Sequence, residues 1–270
     1  STGMPTKLEQ ADLNHALYGG HGDFPRIVVA PGSVEDCFWQ TIQAFNMAEK
    51  YQCPVILLSD QSLSHRTESL LKPDLSKVQV VDRLTPGRED LENGYQRFKV
   101  TETGVSPMAL PGMSAGMYVA PGLEHDERGH VGNPLYAHQV MMPKRFRKLE
   151  ALQRELEAPP RYGHPSPTIG VLSWGSTEGA VREAVERAVA QGIPVAALHP
   201  RVLHPLPEGE VGAFIRSVEK VLVPEVNYSG QFARYIRSVF GCPVIRLNKY
   251  GGLPFTALEI LRKIEEVAGG

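Results

Sequence analysis

Apolar positions along this chain repeat at two periods. Residues 26–30, Arg-Ile-Val-Val-Ala, form a β-branched apolar run closed by Pro31-Gly32, which predicts a strand. Val34, Phe38, Ile42 and Phe45 then recur at spacings of four, four and three, which predicts a helix with one buried face. Ser33 is placed to cap it, and Glu35 and Asp36 meet the dipole of its first turn. The helix should end near Tyr51. Residues 54–58, Pro-Val-Ile-Leu-Leu, read as a short strand covered on both sides. That strand stops at Ser59-Asp60-Gln61, and in open α/β sheets ligands bind at this carboxyl end.

The last hundred residues alternate more regularly. Strands are predicted at 168–173, 194–198, 220–224 and 243–246. Helices follow at 177–191, 208–217 and 229–240, and a last one is opened by the Thr256-x-x-Glu259 capping box. Val181 and Val185, Phe232 and Ile236, and Leu261 and Ile264 mark inward faces. Four βα units in succession argue for a parallel sheet with helices on its faces. Residues 73–135 differ: prolines and glycines break them, no long helix is expected, and short extended pieces are predicted at 95–100 and 117–120. A charged helix is expected at 138–157. The proline-rich stretch 159–167 is expected to mark a domain boundary.

Charge and composition narrow the partners. Lys+Arg 28 against Asp+Glu 30 gives a net charge of -2, so no basic field favours nucleic acid. No apolar run approaches a membrane span. Cys37, Cys53 and Cys242 are far apart in sequence, which argues against a disulfide framework or a metal cluster held by this chain alone. A reducing, cytoplasmic setting is the simplest expectation. The chain opens on Ser1 and a Gly/Pro loop, and reads as the continuation of a longer polypeptide.

Five segments carry candidate chemistry. The loop Ser1-Thr2-Gly3-Met4-Pro5-Thr6-Lys7 could line an anionic site, or be a polar turn. Trp174-Gly175-Ser176-Thr177-Glu178-Gly179 joins a strand to a helix and could hold a phosphate, although most such turns only connect. Glu124-His125-Asp126-Glu127-Arg128-Gly129-His130 is dense in metal-competent groups but lacks helical HExxH spacing, so an ion-paired turn is expected. His199 and His204 could form a catalytic dyad, with ordinary loop histidines the expected reading; Lys144-Arg145-Phe146-Arg147-Lys148 could meet nucleic acid, with a solvated, ion-paired helix the expected one.

Taken in order, Ser1 to Leu13, Tyr18-Gly-Gly-His-Gly22, Pro54-Val-Ile-Leu-Leu-Ser-Asp60, Gly122 to His130, Lys144 to Lys148, Val223-Pro-Glu-Val-Asn227 and Leu247-Asn-Lys249 resemble the α subunit of 2-oxoacid:ferredoxin oxidoreductases, most nearly the 2-oxoglutarate type. The resemblance covers essentially the whole chain but not the family's N-terminal part. It implies an α/β fold in which residues 1–75 form the second half of a pyrimidine-type domain for thiamine diphosphate. Residues 76–165 would be a connector with the charged helix, and residues 166–270 a transketolase C-terminal-like parallel-sheet domain. The implied reaction is oxidative decarboxylation of a 2-oxoacid with coenzyme A, electrons passing to ferredoxin. Thiamine diphosphate and magnesium would be bound mainly by a β subunit that also carries a [4Fe–4S] cluster, in a heterotetramer. Thr6 would hydrogen-bond the 2-oxoacid, with Ser1 and Thr2 in the same loop. The family's substrate-loop arginine and cofactor-activating glutamate have no counterpart in these residues. The alternative is a non-catalytic α/β interaction module of the same ancestry.

Overall fold

The computed structural model describes residues 4–270. Helix α1 (Leu13–Tyr18) buries Leu13, Ala16 and Leu17. Strand β1 (Ile27–Val29) is buried throughout. Helix α2 (Val34–Tyr51) begins as its sequence predicts, with the Ser33 side chain accepting from the Asp36 amide. Strand β2 (Val55–Leu57) runs parallel to β1, Val28 opposite Ile56. A one-turn helix, α3 (Gln61–Ser64), follows under an Asp60 cap, and α4 (Arg88–Glu92) and α5 (Pro134–Gln153) complete the middle of the chain.

The remaining elements are β3 (Arg161–Gly163), β4 (Ile169–Leu172), α6 (Glu178–Ala190), β5 (Val195–Leu198), β6 (Val202–His204), α7 (Glu208–Arg216), β7 (Lys220–Glu225), α8 (Gln231–Phe240), β8 (Ile245–Asn248) and α9 (Ala257–Gly269). They build a five-stranded sheet in the order β3-β5-β4-β7-β8. β5, β4, β7 and β8 are mutually parallel and β3 is an antiparallel edge. This is the parallel α/β sheet expected from the βα alternation. Val181, Val185, Ile260 and Ile264 form one core on it; Phe232 and Ile236 belong to another that also takes in Val28 of β1 and the adjoining Ala30.

Several expectations are corrected. The stripe Val34–Phe38–Ile42–Phe45 is not a buried face: Phe45 is 70% exposed and the other three are half-buried. The inner face of α2 instead presents Asn46 and Tyr51, and the Asn46 amide bonds the Gln79 carbonyl and the Val81 amide. Residues 95–100 and 117–120, expected as short extended pieces, join no sheet. Their backbone finds side-chain and isolated backbone partners rather than a ladder: the Phe98 amide donates to the Glu127 carbonyl, and that of Val100 to Glu127 Oε1. Helix α5 starts earlier than 138, because Asn133 accepts from the Leu135 and Tyr136 amides and Pro134 occupies the first turn, where proline is tolerated.

The boundary expected at 159–167 is crossed twice. Strand β3 lies inside it and pairs with β5. Strand β6, which the pattern does not predict, leaves the second half of the chain to pair antiparallel with β1, giving a three-stranded sheet β2-β1-β6. The chain therefore passes from the second sheet into the first between β5 and β6.

Candidate functional site

The carboxyl ends of β2, β4 and β7 converge on one side chain, Gln10, which is 3% exposed. Backbone groups at strand ends have no ladder partner and must be satisfied otherwise. Gln10 satisfies several. Its amide donates to the Val226 carbonyl at 2.7 Å, and its Oε1 accepts from the Val226 amide at 3.1 Å. Its Nε2 donates to the Trp174 carbonyl at 3.0 Å and reaches Asp60 Oδ2 at 3.5 Å. Asn227 Nδ2 donates to the Gln10 carbonyl at 3.1 Å. Gly175 holds φ 61° beside it, and a Cβ there would sit 2.8 Å from Gln10 Nε2. This position needs glycine for both reasons.

The end of β7 is fixed by the fully buried Glu225. Its carboxylate accepts from the Phe232 and Ala233 amides at 2.7 and 2.9 Å, and from Asn227 Nδ2 at 2.9 Å. Burial pushes this carboxyl above the ordinary range, against the pull of those donors. The Val223–Asn227 motif thus joins β7 to the start of α8.

Thr6 lies above this ring. It is exposed and holds φ 54°, a left-handed conformation that costs a β-branched residue free energy. Its neighbours hold it there. Gln61 Nε2 donates to its carbonyl at 2.8 Å, the Leu8 amide donates to the Gly252 carbonyl at 3.3 Å, and Met4 and Lys7 pack on Gly252. The Thr6 hydroxyl makes no hydrogen bond to another described residue and is free to donate. Ser1 and Thr2 lie outside the described residues.

A charged chain that sequence reasoning missed joins α2 to the second sheet. Arg201 Nε lies 2.5 Å from Asp36 Oδ2, and Arg201 Nη2 lies 2.8 Å from Glu178 Oε2. His199 Nε2 is 3.8 Å from the same Glu178 oxygen, and its Nδ1 is 2.8 Å from Ser173 Oγ. Burial, aided by Arg201, holds the His199 imidazole well below its ordinary pKa, so it is neutral. Ser173 and His199 are both fully buried, so this serine–histidine–glutamate row cannot meet a substrate. It ties two sheets together. A Cβ at Gly32 would collide with the Glu178 carboxylate.

The other candidates are structural. Glu124 accepts from Arg145 Nη2 at 2.6 Å and pairs with His138 Nδ1 at 2.7 Å. Arg145, then His138, hold its carboxyl down at about 2 against the opposing effect of burial. Glu124 thus ties the segment 124–130 to α5 at His138 and Arg145. No three His, Cys, Asp or Glu among the described residues could hold a metal ion. His125 packs on Phe98, ring centroids 4.0 Å apart, and His204 meets Tyr235 Oη at 3.1 Å. Lys144 departs from the solvated reading, since it is 4% exposed. No helix among the described residues is long and apolar enough to cross a membrane.

Two family models match the sequence. Residues 1–141 match pyruvate flavodoxin/ferredoxin oxidoreductase, thiamine diphosphate-binding, and residues 168–260 match pyruvate:ferredoxin oxidoreductase core domain II. The chain is 35% identical to the α subunit of 2-oxoacid:ferredoxin oxidoreductase 2 of Aeropyrum pernix, over 99% of this chain and 42% of that protein. It is 33% identical to 2-oxoglutarate synthase subunit KorA of Methanothermobacter marburgensis, over 98% of this chain and 70% of that protein. The solved 2-oxoglutarate:ferredoxin oxidoreductase from Magnetococcus marinus, with 2-oxoglutarate, coenzyme A and succinyl-CoA bound, superposes with a TM-score of 0.94 and 40% identity, over 98% of this chain and 46% of that one. The chain thus spans less than half the length of several relatives it matches.

Proposed function

The chain belongs to the pyruvate flavodoxin/ferredoxin oxidoreductase family, and from that premise we propose that it is the α-subunit portion of a 2-oxoacid:ferredoxin oxidoreductase with 2-oxoglutarate as its substrate. The reaction is oxidative decarboxylation to an acyl-CoA, with electrons passed to ferredoxin. The observation that carries the substrate role is Thr6, a strained, exposed hydroxyl residue anchored over the strand ends by Gln61 and Gly252. The 40% identity to the 2-oxoglutarate enzyme supports the choice of substrate.

Thiamine diphosphate, when bound, supplies the carbanion chemistry and stores the electrons. The described residues do not fit its magnesium or an iron–sulfur cluster, because no set of metal-competent side chains converges. Both are assigned here to a β subunit in a heterotetramer, in a reducing cytoplasm where Cys37, Cys53 and Cys242 stay free. The part played by this chain's own residues is binding and orientation. The Thr6 hydroxyl donates to a carboxylate or keto oxygen of the 2-oxoacid. Gln10 holds three strand ends in register beneath that turn, and Gln61 fixes the turn's carbonyl. Ser1 and Thr2 belong to the same loop in this proposal.

The test is Thr6→Val in the assembled α/β complex. A hydrogen bond to a charged group is worth about 1.5–3 kcal/mol, so kcat/KM for the 2-oxoacid should fall about ten- to a hundredfold. Thr6→Ser should retain most activity. An assembled Thr6→Val complex with kcat/KM within about twofold of wild type, a margin well below that bond's worth, would refute the contact.

A further inference from the structure

Helix α5 carries one lysine, Lys144, into the interior beneath the segment 95–107. It is 4% exposed, and its ammonium makes no hydrogen bond to another described residue. A buried polar group without a partner calls for an explanation. We propose that Lys144 is a carbon dioxide site: its Nζ adds CO2 to form a carbamate, which the cations around it hold in place.

Three observations lead there. First, cations are gathered at this point. Lys148 lies one turn further along α5, on the face that carries Lys144. Lys148 Nζ donates to the Gln52 carbonyl at 2.9 Å, and Arg97 Nη2 donates to Gln52 Oε1 at 2.8 Å. One residue therefore anchors both cations beside the helix. The segment 95–107 is pressed onto the same place, because Gly104 holds φ 77° and a Cβ there would collide with the Lys144 carbonyl.

Second, negative charge is short. Lys148, Arg97 and Arg145 repel the Lys144 ammonium, and only Glu127 attracts it. Glu127 Oε1 already accepts from the Val100 amide at 2.6 Å, and Glu124 is taken by Arg145 and His138. A carbamate would replace a positive charge with a negative one, so three repulsions would become attractions and only the Glu127 contact would reverse. Burial first, and then those cations, lower the amine from 10.5 to about 7. Much of it is therefore neutral and nucleophilic at neutral pH.

Third, burial selects the reagent. Carbon dioxide is small, uncharged and apolar, and reaches an amine that a hydrated anion or an acyl group on a bulky carrier cannot. The Nζ lone pair bonds the CO2 carbon, one C–O π pair moves onto oxygen, and one amine proton passes to water. Amine and CO2 thus give a carbamate and a proton, with no oxidant or reductant. The reaction proposed above releases CO2, but dissolved CO2 from any source serves, so the carbamate does not rest on that function. Held between α5 and Arg97, it would fasten the segment 95–107 to the helix, and CO2 should stabilise the fold.

The experiment exposes the full chain to bicarbonate at about pH 8 and constant ionic strength, traps carbamates with triethyloxonium and locates them by peptide mass spectrometry. At that pH Lys144 is mostly neutral, whereas ordinary lysines, near about 10.4, stay charged. The α-amine, ordinarily at about 7.7–8.0, is the internal control. The proposal expects an adduct on Lys144 that falls about tenfold or more when urea unfolds the chain before trapping, because the amine then regains its ordinary pKa. Arg97→Gln should lower that adduct about threefold. Bicarbonate should also raise the melting temperature of wild type by about 2–4 °C and leave Lys144→Met unmoved. Lys144 unlabelled beside a labelled α-amine, or labelled equally in urea, overturns the site; both results come from the wild-type chain and stand even if Lys144→Met folds poorly. Equal melting shifts in wild type and folded Lys144→Met, or the same shift with chloride and no adduct, also overturn it. An adduct unchanged in folded Arg97→Gln overturns the role given to the cations.

Discussion

Lys144 is the side chain whose replacement should do most to reveal how this chain balances charge. It is 4% exposed, and its ammonium makes no hydrogen bond to another described residue. Burial first, and then Lys148, Arg97 and Arg145, push its pKa from 10.5 down to about 7, with only Glu127 acting the other way. A lysine lowered on folding takes up fewer protons in the native state than in the unfolded one. Stability should therefore rise with pH between about 7 and 10.5 and be lowest at and below pH 7. The full displacement corresponds to about 5 kcal/mol, at 1.36 kcal/mol for each tenfold change in proton affinity. Lys144→Met keeps the apolar stem and the helix propensity but removes the charge. We expect the variant to be more stable at pH 7 by about 2 kcal/mol, less than the full figure because the lysine tip can relax toward water. Urea midpoints of both proteins from pH 6 to 10.5 check this, since the other titrating groups are common to both. The gap should close as the pH approaches 10.5. A gap independent of pH, or a variant less stable at every pH, would refute the reasoning.

Three further outcomes follow from the packing. Glu124→Gln breaks the pair with Arg145, and acid titration of stability should show wild type ahead by about 2 kcal/mol above pH 4.5, the advantage fading as pH falls toward about 2. Gln10→Leu leaves the Trp174 carbonyl and Val226 amide unpaired, so chemical denaturation should report a loss of about 1–3 kcal/mol; Gly175→Ala, forcing a Cβ against the Gln10 amide, should lose a similar amount. Limited trypsin digestion should cut first at Arg66 or Lys77, in the mostly exposed stretch outside any ladder, and should spare 161–163, which is paired with β5.

Much of the second sheet was legible because its signals are local. The capping box at Thr256 and Glu259 forms as written, and the four-residue spacing of Val181 and Val185 does face a core. Strand β6 was not legible. Val202-Leu203-His204 is three residues between Pro200 and Pro205, and it is a strand only because β1, more than 170 residues away, accepts it. The stripe of α2 misled for the converse reason: periodicity reports an apolar face, not whether this chain supplies anything to cover it. Gln10 carries no local signature, since a glutamine in a loop becomes a keystone only when three strand ends meet around it. Segments 124–130 and 144–148 each looked chemically charged, and only the fold shows that Glu124 of one pairs with Arg145 of the other. The resemblance, rather than pattern, singled out Thr6; its strained backbone is visible only in three dimensions.

We propose that this chain supplies the substrate-facing side of an oxidoreductase completed by another subunit. The most direct measurement is reduction of ferredoxin by 2-oxoglutarate and coenzyme A, with thiamine diphosphate present, for the chain alone and for the α subunit that carries it assembled with the β subunit. The chain alone should show no turnover, and the complex sustained turnover dependent on both the 2-oxoacid and coenzyme A. Sustained reduction by the metal-free chain, or an assembled, cofactor-loaded complex that reduces no ferredoxin with any 2-oxoacid, would contradict it.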